Sequence, residues 1–383
     1  LHLSIRRQRQ MCIRDRGQAY QSLAPLRAAP PHPNPKGMPV RTSRLLAAGV
    51  AAALALGLTA CATPSNDSTS DSAGGNPADD SAFPVTIEHV YGETTIEKKP
   101  ERVATVAWAN HEVPLALGIV PVGMSKASWG DDDDNGILPW VEEKLDELGG
   151  EEPVLFDESD GIDYEAVADT EPDVILASYS GLTQEEYDTL SKIAPVVAYP
   201  EVAWGTPVDE MIEMNSKALG LEAEGDALIE DLHADAEAAL EENSALKDKK
   251  VLFAYIDPSD LSQVGYYTAI DTRPGYLHED LGLPLPSVVE ENADSDQFYL
   301  TVSSEEADKF ADVDVFVTYG DESLIATLQA DPLLSKIPAI AEGRIAILPD
   351  ATPIAASANP SPLSIPWGLS DYLGLLAAPL AAK

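Results

Sequence analysis

The sequence predicts an α/β protein: two three-layer α/β/α lobes joined by one long linker helix, with a ligand cleft between the lobes. Residues 222–243, EAEGDALIEDLHADAEAALEEN, are an unbroken run of helix formers in which Leu228, Leu232, Ala236 and Leu240 recur every four residues. At ~1.5 Å per residue such a helix spans roughly 30 Å, the width of a small domain. Strand-like apolar runs stand on either side of it, RVATVAW at 102–108 and KKVLFAY at 249–255. A pattern also occurs twice. Glu165 lies fourteen residues before Tyr179 with an apolar run at 174–177 between them, and Glu305 lies fourteen before Tyr319 with another at 315–317.

In chain order, residues 1–37 read as an upstream or expression-derived segment, basic and then Pro-rich. Residues 38–60 have the plan of a signal peptide: Arg41 and Arg44, an Ala/Leu stretch at 45–58 too short to span a bilayer, then Leu58, Thr59, Ala60 and Cys61. That ending resembles the bacterial lipobox, which implies lipid on Cys61; a plain secretory signal is the alternative. Cys12 lies upstream, so no disulfide forms within the chain from Cys61 onward. Residues 61–82, rich in Ser, Thr, Asp and Gly, form a flexible tether that buries no core. The alternation at 85–96 about Gly92 predicts a hairpin. Strands are expected at 103–108, 120–124, 174–177, 196–199, 251–256, 315–319 and 345–348, and helices at 113–118, 141–148, 164–168, 184–193, 208–219, 323–330 and 369–377. The lobes are then 83–221 and 244–383, on either side of the linker 222–243.

Of the 24 Lys and Arg and 65 Asp and Glu, nine basic residues and one acidic precede Cys61. Subtraction leaves 15 basic and 64 acidic residues from Cys61 onward, a balance of −49. Nucleic acid and anionic lipid are excluded as electrostatic partners. Gly-x-Ser-x-Gly, phosphate-binding glycine loops and His-Glu-x-x-His are all missing, so an enzyme is not expected.

EHVYGETTIEKKPERVATVAW, LALGIVPVG, IDYEAVADTEPDVILASYSGL, SKIAPVV and PSPLSIPWGL occur in that order between Phe83 and Ala378. This ordered set resembles the iron-siderophore class of ABC-transporter solute-binding lipoproteins. The resemblance implies a monomeric receptor, lipid-anchored on the outer face of the bacterial cytoplasmic membrane, that captures a ferric siderophore and delivers it to a permease and its ATPase. It further implies that one Glu on each lobe docks on the permease: Glu165, seven residues before Pro172, and Glu305, seven before Asp312, where many relatives have Pro. Glu306 competes for the second assignment.

Ligands of α/β layers bind beyond the carboxyl ends of strands. On the first lobe those ends carry Trp108, Asn110, His111, Trp129, Tyr179 and Trp204; on the second, Tyr255, Tyr266, Tyr267 and Tyr319. Aromatic faces suit a bulky, rigid chelate. Ferric chelates are often anionic, and Arg273, in a loop DTRPGYL stiffened by Pro274 and Gly275, is the expected cation. Arg102 and Arg344 have structural settings, and Lys126 is a secondary candidate. Haem, with His111 and Tyr255 or Tyr267 as axial ligands, and cobalamin are the alternatives within this class.

The loop DDDDNGILPWVE matches calcium-loop spacing through Asp131, Asp133, Asn135, Ile137 and Glu142, with Gly136 at the sixth place. A solvated acidic loop is the competing reading. Four histidines, His89, His111, His233 and His278, follow Cys61, too few for a histidine-rich metal site; His233 in the linker and His89 in the hairpin read as surface or hydrogen-bonded residues.

Overall fold

Short runs of β-branched and apolar residues pair into two separate five-stranded sheets, one on each side of a long helix. The computed structural model describes residues 82–381 apart from 294 and 296, all within one compact unit, Asn76–Lys383. The expectations for residues 1–81, including the signal peptide, Cys61 and most of the tether, lie outside the described residues.

A hairpin of β1 (Val85–His89) and β2 (Gly92–Ile96) opens the fold, with Val85 opposite Ile96 and His89 opposite Gly92. The first lobe then alternates strand and helix: β3 (Val103–Thr105), α1 (Glu112–Ala116), β4 (Gly123–Ser125), α2 (Pro139–Leu148), β5 (Val154–Phe156), α3 (Tyr164–Asp169), β6 (Val174–Leu176), α4 (Gln184–Leu190), β7 (Val196–Val197) and α5 (Val208–Ala218). The five strands lie in the order β5-β4-β3-β6-β7, all parallel. Both faces of such a sheet are covered, and every residue of β3 and β6 is accordingly buried.

Helix α6 (Glu222–Glu242) leads to the second lobe. Its Leu232, Ala236 and Ala239 are buried against α5 and the last helix of the chain, and its acidic face is left to water. The second lobe comprises β8 (Val251–Tyr255), β9 (Gln263–Tyr267), α7 (Thr272–Glu279), α8 (Ser287–Glu290), β10 (Tyr299–Ser303), β11 (Val315–Gly320), α9 (Ser323–Ala330), α10 (Pro338–Ala341), β12 (Ile345–Pro349), α11 (Pro353–Ser357) and α12 (Ser364–Ala381). Its order is β10-β9-β8-β11-β12; β8, β11 and β12 are parallel, whereas β9 and β10 run antiparallel at one edge.

Three differences from the expectations bear on the fold. The run 103–108 stops being a strand at Thr105, because Ala107 and Ala109 take φ of 63° and 64°. The last helix starts at Ser364 rather than 369. Arg273 is not in a loop: Asp271 caps α7 by accepting from the backbone N–H of Arg273, and Pro274 and Gly275 sit in the first turn, where a missing N–H costs nothing. Strands β5, β9 and β10 and helices α7, α8, α10 and α11 had no sequence counterpart.

In each sheet the chain reverses its winding beside the central strand, between β3 and β6 and between β8 and β11. Asn110, fully buried, fastens the first of these points: its side-chain N–H donates to the carbonyls of Val106 (2.8 Å) and Tyr179 (2.9 Å), and its Oδ1 accepts from Tyr179 N–H (3.0 Å). One apolar core runs through both lobes, joining Val113, Met211 and Ile212 to Leu232 and Ala236 of α6 and to Phe253, Val317 and Leu373. A second shared cluster packs Trp140 against Trp367, ring centroids 5.0 Å apart.

Between the lobes lies a buried carboxylate. Glu112 of α1 is 1% exposed and accepts from Trp140 Nε1–H (2.9 Å) and from the backbone N–H of Leu363 (3.0 Å), at the approach to α12. Burial pushes its carboxyl up to about 6, although hydrogen bonds from Ser361, Trp140, Leu363 and Ser364 oppose the shift. Glu112→Ala would leave both named donors buried and unpaired. Unfolding in urea should show a loss of about 3 kcal/mol, with a smaller loss for Glu112→Gln, which keeps an acceptor.

Candidate functional site between the two sheets

The rim of the first lobe is built on strained backbone. Trp108 is held between the left-handed residues Ala107 and Ala109, and Trp204 itself has a φ of 62°. Each such residue costs about 1–3 kcal/mol and persists only where its surroundings over-determine it. Here they do. Both carboxylate oxygens of Glu158 accept from Ala107 N–H (3.0 and 3.2 Å), Asn110 clasps the turn that follows, and Trp204 N–H donates to the Ser180 carbonyl (2.8 Å). The Trp204 indole lies across Gly181, where any Cβ would stand 2.1 Å from its Nε1.

The second lobe contributes a guanidinium seated among aromatic rings. Asp271, 1% exposed, accepts from Arg273 Nε–H (2.8 Å) and Nη2–H, while Arg273 Nη1–H donates to the Tyr319 hydroxyl (3.2 Å). The Arg273 carbon lies 3.9 Å from the Tyr267 ring centroid and 4.8 Å from that of Phe253, within cation–π range. Burial would lower the guanidinium pKa, but Asp271, Tyr319 and Tyr267 hold it well above its ordinary value, so Arg273 stays charged. Tyr319 meets Trp129 of the first lobe edge-on at 5.4 Å. Tyr267 packs against Phe298 (5.7 Å) and Tyr299 (5.2 Å), and Tyr299 fits only because residue 265 is glycine, whose Cβ would fall 1.6 Å from the phenol oxygen.

A polar seam closes the set. The Tyr179 hydroxyl lies 3.2 Å from Thr272 Oγ1 and 3.4 Å from Asn359 Nδ2, and its ring meets Trp204 edge-on at 5.6 Å. Burial, with Asp271 beyond it, pushes the Tyr179 phenol up to about 12, and burial pushes Tyr299 to about 12 as well; both are neutral. Trp204, Tyr179, Thr272, Arg273, Tyr267, Tyr319 and Trp129 thus form one continuous wall crossing from lobe to lobe.

Several residues marked from the sequence stand elsewhere. Tyr266 is 1% exposed on the opposite face of β9 from Tyr267, as strand alternation requires; its hydroxyl donates to the Val288 carbonyl (3.1 Å) and its ring packs on Phe310. Asn110 serves the backbone. His111 is buried beside Trp108 and Lys126 along a small cavity, and burial lowers its pKa to about 4, so it is neutral. Tyr255, partly buried at the end of β8, adds its field to that of Tyr267 on Tyr299. Asp271, Thr272, Phe253, Phe298, Tyr299 and Asn359 were missed. The Asp-Thr-Arg-Pro run was the readable signal for Asp271; Tyr299 depended on a strand that composition did not reveal.

The acidic loop folds on itself. Asp131 accepts from the backbone N–H groups of Asp133, Asp134 and Gly136, Asn135 Nδ2–H bridges Asp133 and Glu142, and Ile137 N–H donates to Asn135. Glu142 sits in the first turn of α2. Glu165 lies in the first turn of α3, and Glu305 lies in the first turn of a 3₁₀ segment, Ser304–Phe310, capped by Ser303; both are exposed, whereas Glu306 pairs with Lys309 at 3.1 Å. An interlobe cavity of about 340 Å³ adjoins the aromatic wall through Gly205, Thr268 and Thr272 and is ringed by Glu201, Glu210, Glu279 and Asp280. Its carboxylates accept hydrogen bonds and cannot donate to the oxygens of a chelate, so the guanidinium-bearing wall, not this cavity, is the candidate ligand surface.

Residues 103–352 match the family described as periplasmic binding protein. The probable siderophore-binding lipoprotein YfiY of Bacillus subtilis (strain 168) is 29% identical over 240 residues, covering 61% of this chain and 69% of that protein. Among solved structures, PiaA of Streptococcus pneumoniae TIGR4 in complex with ferrichrome is 51% identical with a TM-score of 0.74, covering 78% of this chain and 99% of that one. Staphylococcus aureus SirA complexed with staphyloferrin B, 20% identical with a TM-score of 0.58 over 78% of this chain and 99% of that one, shares the fold.

Glu158 makes the rim sensitive to pH. Burial pushes its carboxyl up to about 7 from 4.5, opposed by the bonds from Ala107 and Ser125. The unfolded chain therefore holds fewer protons than the folded one between these values, and stability falls as pH rises through that window. Glu158→Gln removes the effect. Denaturation at acid and alkaline pH should show the variant gaining roughly 3 kcal/mol on the parent between about pH 4.5 and pH 8.

Proposed function

The chain belongs to the periplasmic binding protein family, and from that premise we propose that it captures a ferric siderophore of the hydroxamate class between its lobes for delivery to an ABC permease. Membership makes it a solute-binding protein rather than an enzyme. The observation that carries the ligand class is the Asp271–Arg273 pair. The sequence alone suggests a free cation for an anionic chelate, but the pair is neutral overall and offers oriented N–H donors set in aromatic walls. Three hydroxamate groups around Fe³⁺ give a chelate of zero charge, whose oxygens accept from the guanidinium without exposing Asp271 to a second anion. A tris-catecholate carries net negative charge into a protein of net charge −41 and is disfavoured. The solved relative bound to ferrichrome supports the same class.

Around this site the proposal places a lipid on Cys61, a flexible tether reaching to the body, a monomeric receptor on the outer face of the cytoplasmic membrane, and a permease with its ATPase as the acceptor. Glu165 and Glu305, each exposed at the start of a helical turn, are the proposed docking carboxylates.

Titration of tryptophan fluorescence should give tight, saturable binding of neutral ferric hydroxamates and weak binding of ferric catecholates. Arg273→Ala should weaken the hydroxamate by about 2 kcal/mol, the value of hydrogen bonds to a charged donor. Tight catecholate binding with no effect of this substitution contradicts the proposal. Separately, replacing both Glu165 and Glu305 with Lys should abolish cellular uptake while leaving chelate affinity as it was; unchanged uptake would end the docking assignment.

A further inference from the structure

Away from the aromatic wall, three side chains from three parts of the fold converge. Asp209 lies in the first turn of α5 in the first lobe, His233 in the middle of α6, and Asp280 at the carboxyl end of α7 in the second lobe. His233 Nε2 is 2.8 Å from Asp209 Oδ2 and 3.7 Å from Asp280 Oδ1, and the three donor atoms all lie within 4.8 Å of one another. We propose that Asp209, His233 and Asp280 bind a divalent transition-metal cation of the zinc type, clipping both lobes to the linker helix.

The chemistry of the donors selects the ion. An imidazole nitrogen with two carboxylate oxygens suits Zn²⁺, Co²⁺ or Ni²⁺, whereas Ca²⁺ and Mg²⁺ prefer oxygen alone. Bond lengths of ~2.0–2.2 Å place the donors of a tetrahedral site about 3.3 Å apart. His233 is half exposed and Asp209 one-third exposed, so their side chains reach that spacing by rotation about their own bonds. The cation takes the place of the proton in the 2.8 Å His–Asp hydrogen bond, and His233 binds as neutral imidazole through Nε2.

Two carboxylates face one another across His233. Asp280 sits where the carbonyl ends of α7 already concentrate negative charge, facing Asp209 and beside Glu279. Tyr276, 6% exposed on α7, has a buried hydroxyl with no hydrogen-bond partner, and the charges acting on it are Asp280, Asp209 and Asp235. Buried hydroxyls are rarely left this way. Three protein ligands leave a fourth position for water, and the unpartnered Tyr276 hydroxyl belongs to a side chain that lines the same cavity as Asp280. Access comes from the half-exposed face of His233 and from the acidic interlobe cavity, which Tyr276 and Asp280 both line. This site involves none of the residues of the chelate wall and does not rest on the siderophore reading.

The test uses the purified full chain, stripped with EDTA, and Zn²⁺, Co²⁺ and Mg²⁺ as probes. Zn²⁺ in hundredfold excess over its Kd should raise the Tm by about 5 °C, and Mg²⁺ should leave it unmoved. Co²⁺ should give the visible absorption of a four-coordinate nitrogen–oxygen site. His233→Gln and Asp280→Asn, made separately, should each lower Zn²⁺ affinity at least about tenfold and remove the cobalt bands while the metal-free Tm stays near that of the parent. Glu237→Gln, on the exposed face of the same helix, should retain both responses. Zinc stabilisation that survives in His233→Gln, or a Zn²⁺ response no larger than that to Mg²⁺, overturns the proposal.

Discussion

The way the two lobes face one another depends on a carboxylate with almost no access to water. Glu112 cannot be solvated where it lies, so it must be satisfied by groups from both sides, and those groups are Trp140 in the first lobe and the backbone of Leu363 ahead of α12 in the second. A rotation that separated the lobes at this point would strand a charge or two donors. Apolar packing alone tolerates sliding; a buried acceptor with directional partners does not. The shared core along α6 supplies most of the adhesion, and Glu112 with the Tyr179–Thr272–Asn359 seam supplies the register.

Given that register, the candidate ligand surface follows from a second buried ionic group. Arg273 could not be held among Phe253, Tyr267 and Tyr319 without a counter-ion, because an isolated charge in such surroundings costs several kcal/mol. Asp271 provides that counter-ion two residues away, on the turn that caps α7, so one short helix start fixes both partners. The consequence is chemical. The surface is a neutral donor array on aromatic faces rather than a positive patch, and on the proposed reading it would present N–H donors to a chelate without relying on attraction at long range in a protein of net charge −41.

The strained residues have a place in the same scheme. Ala107, Ala109 and Trp204 are in the left-handed region at the rim, and each is held by partners that lie far away in sequence, Glu158, Tyr179 and Ser180 among them. Strain that is held in this way fixes where Trp108 and Trp204 point, and side chains fixed in advance would lower the ordering cost of the proposed binding.

Periodicity and composition determined the helix at 222–242, the central strands of both sheets, the hairpin at 85–96 and the α/β class, because those signals are carried by neighbouring residues along the chain. The same local signals marked Trp129, Tyr179, Trp204, Tyr267 and Tyr319 as candidates at strand ends, and Arg273 as the cation in the loop that follows the tyrosine pair. They could not separate Tyr266 from Tyr267, since which face of β9 looks inward depends on its antiparallel register with β8. Nor could they show that Asp271 neutralises Arg273, that Tyr299 lies over Gly265, or that His233, an unremarkable residue of a linker helix, comes to rest between Asp209 and Asp280. Side-chain neighbours of that kind are set by how whole elements pack, and packing is a property of the folded chain that no window of sequence contains.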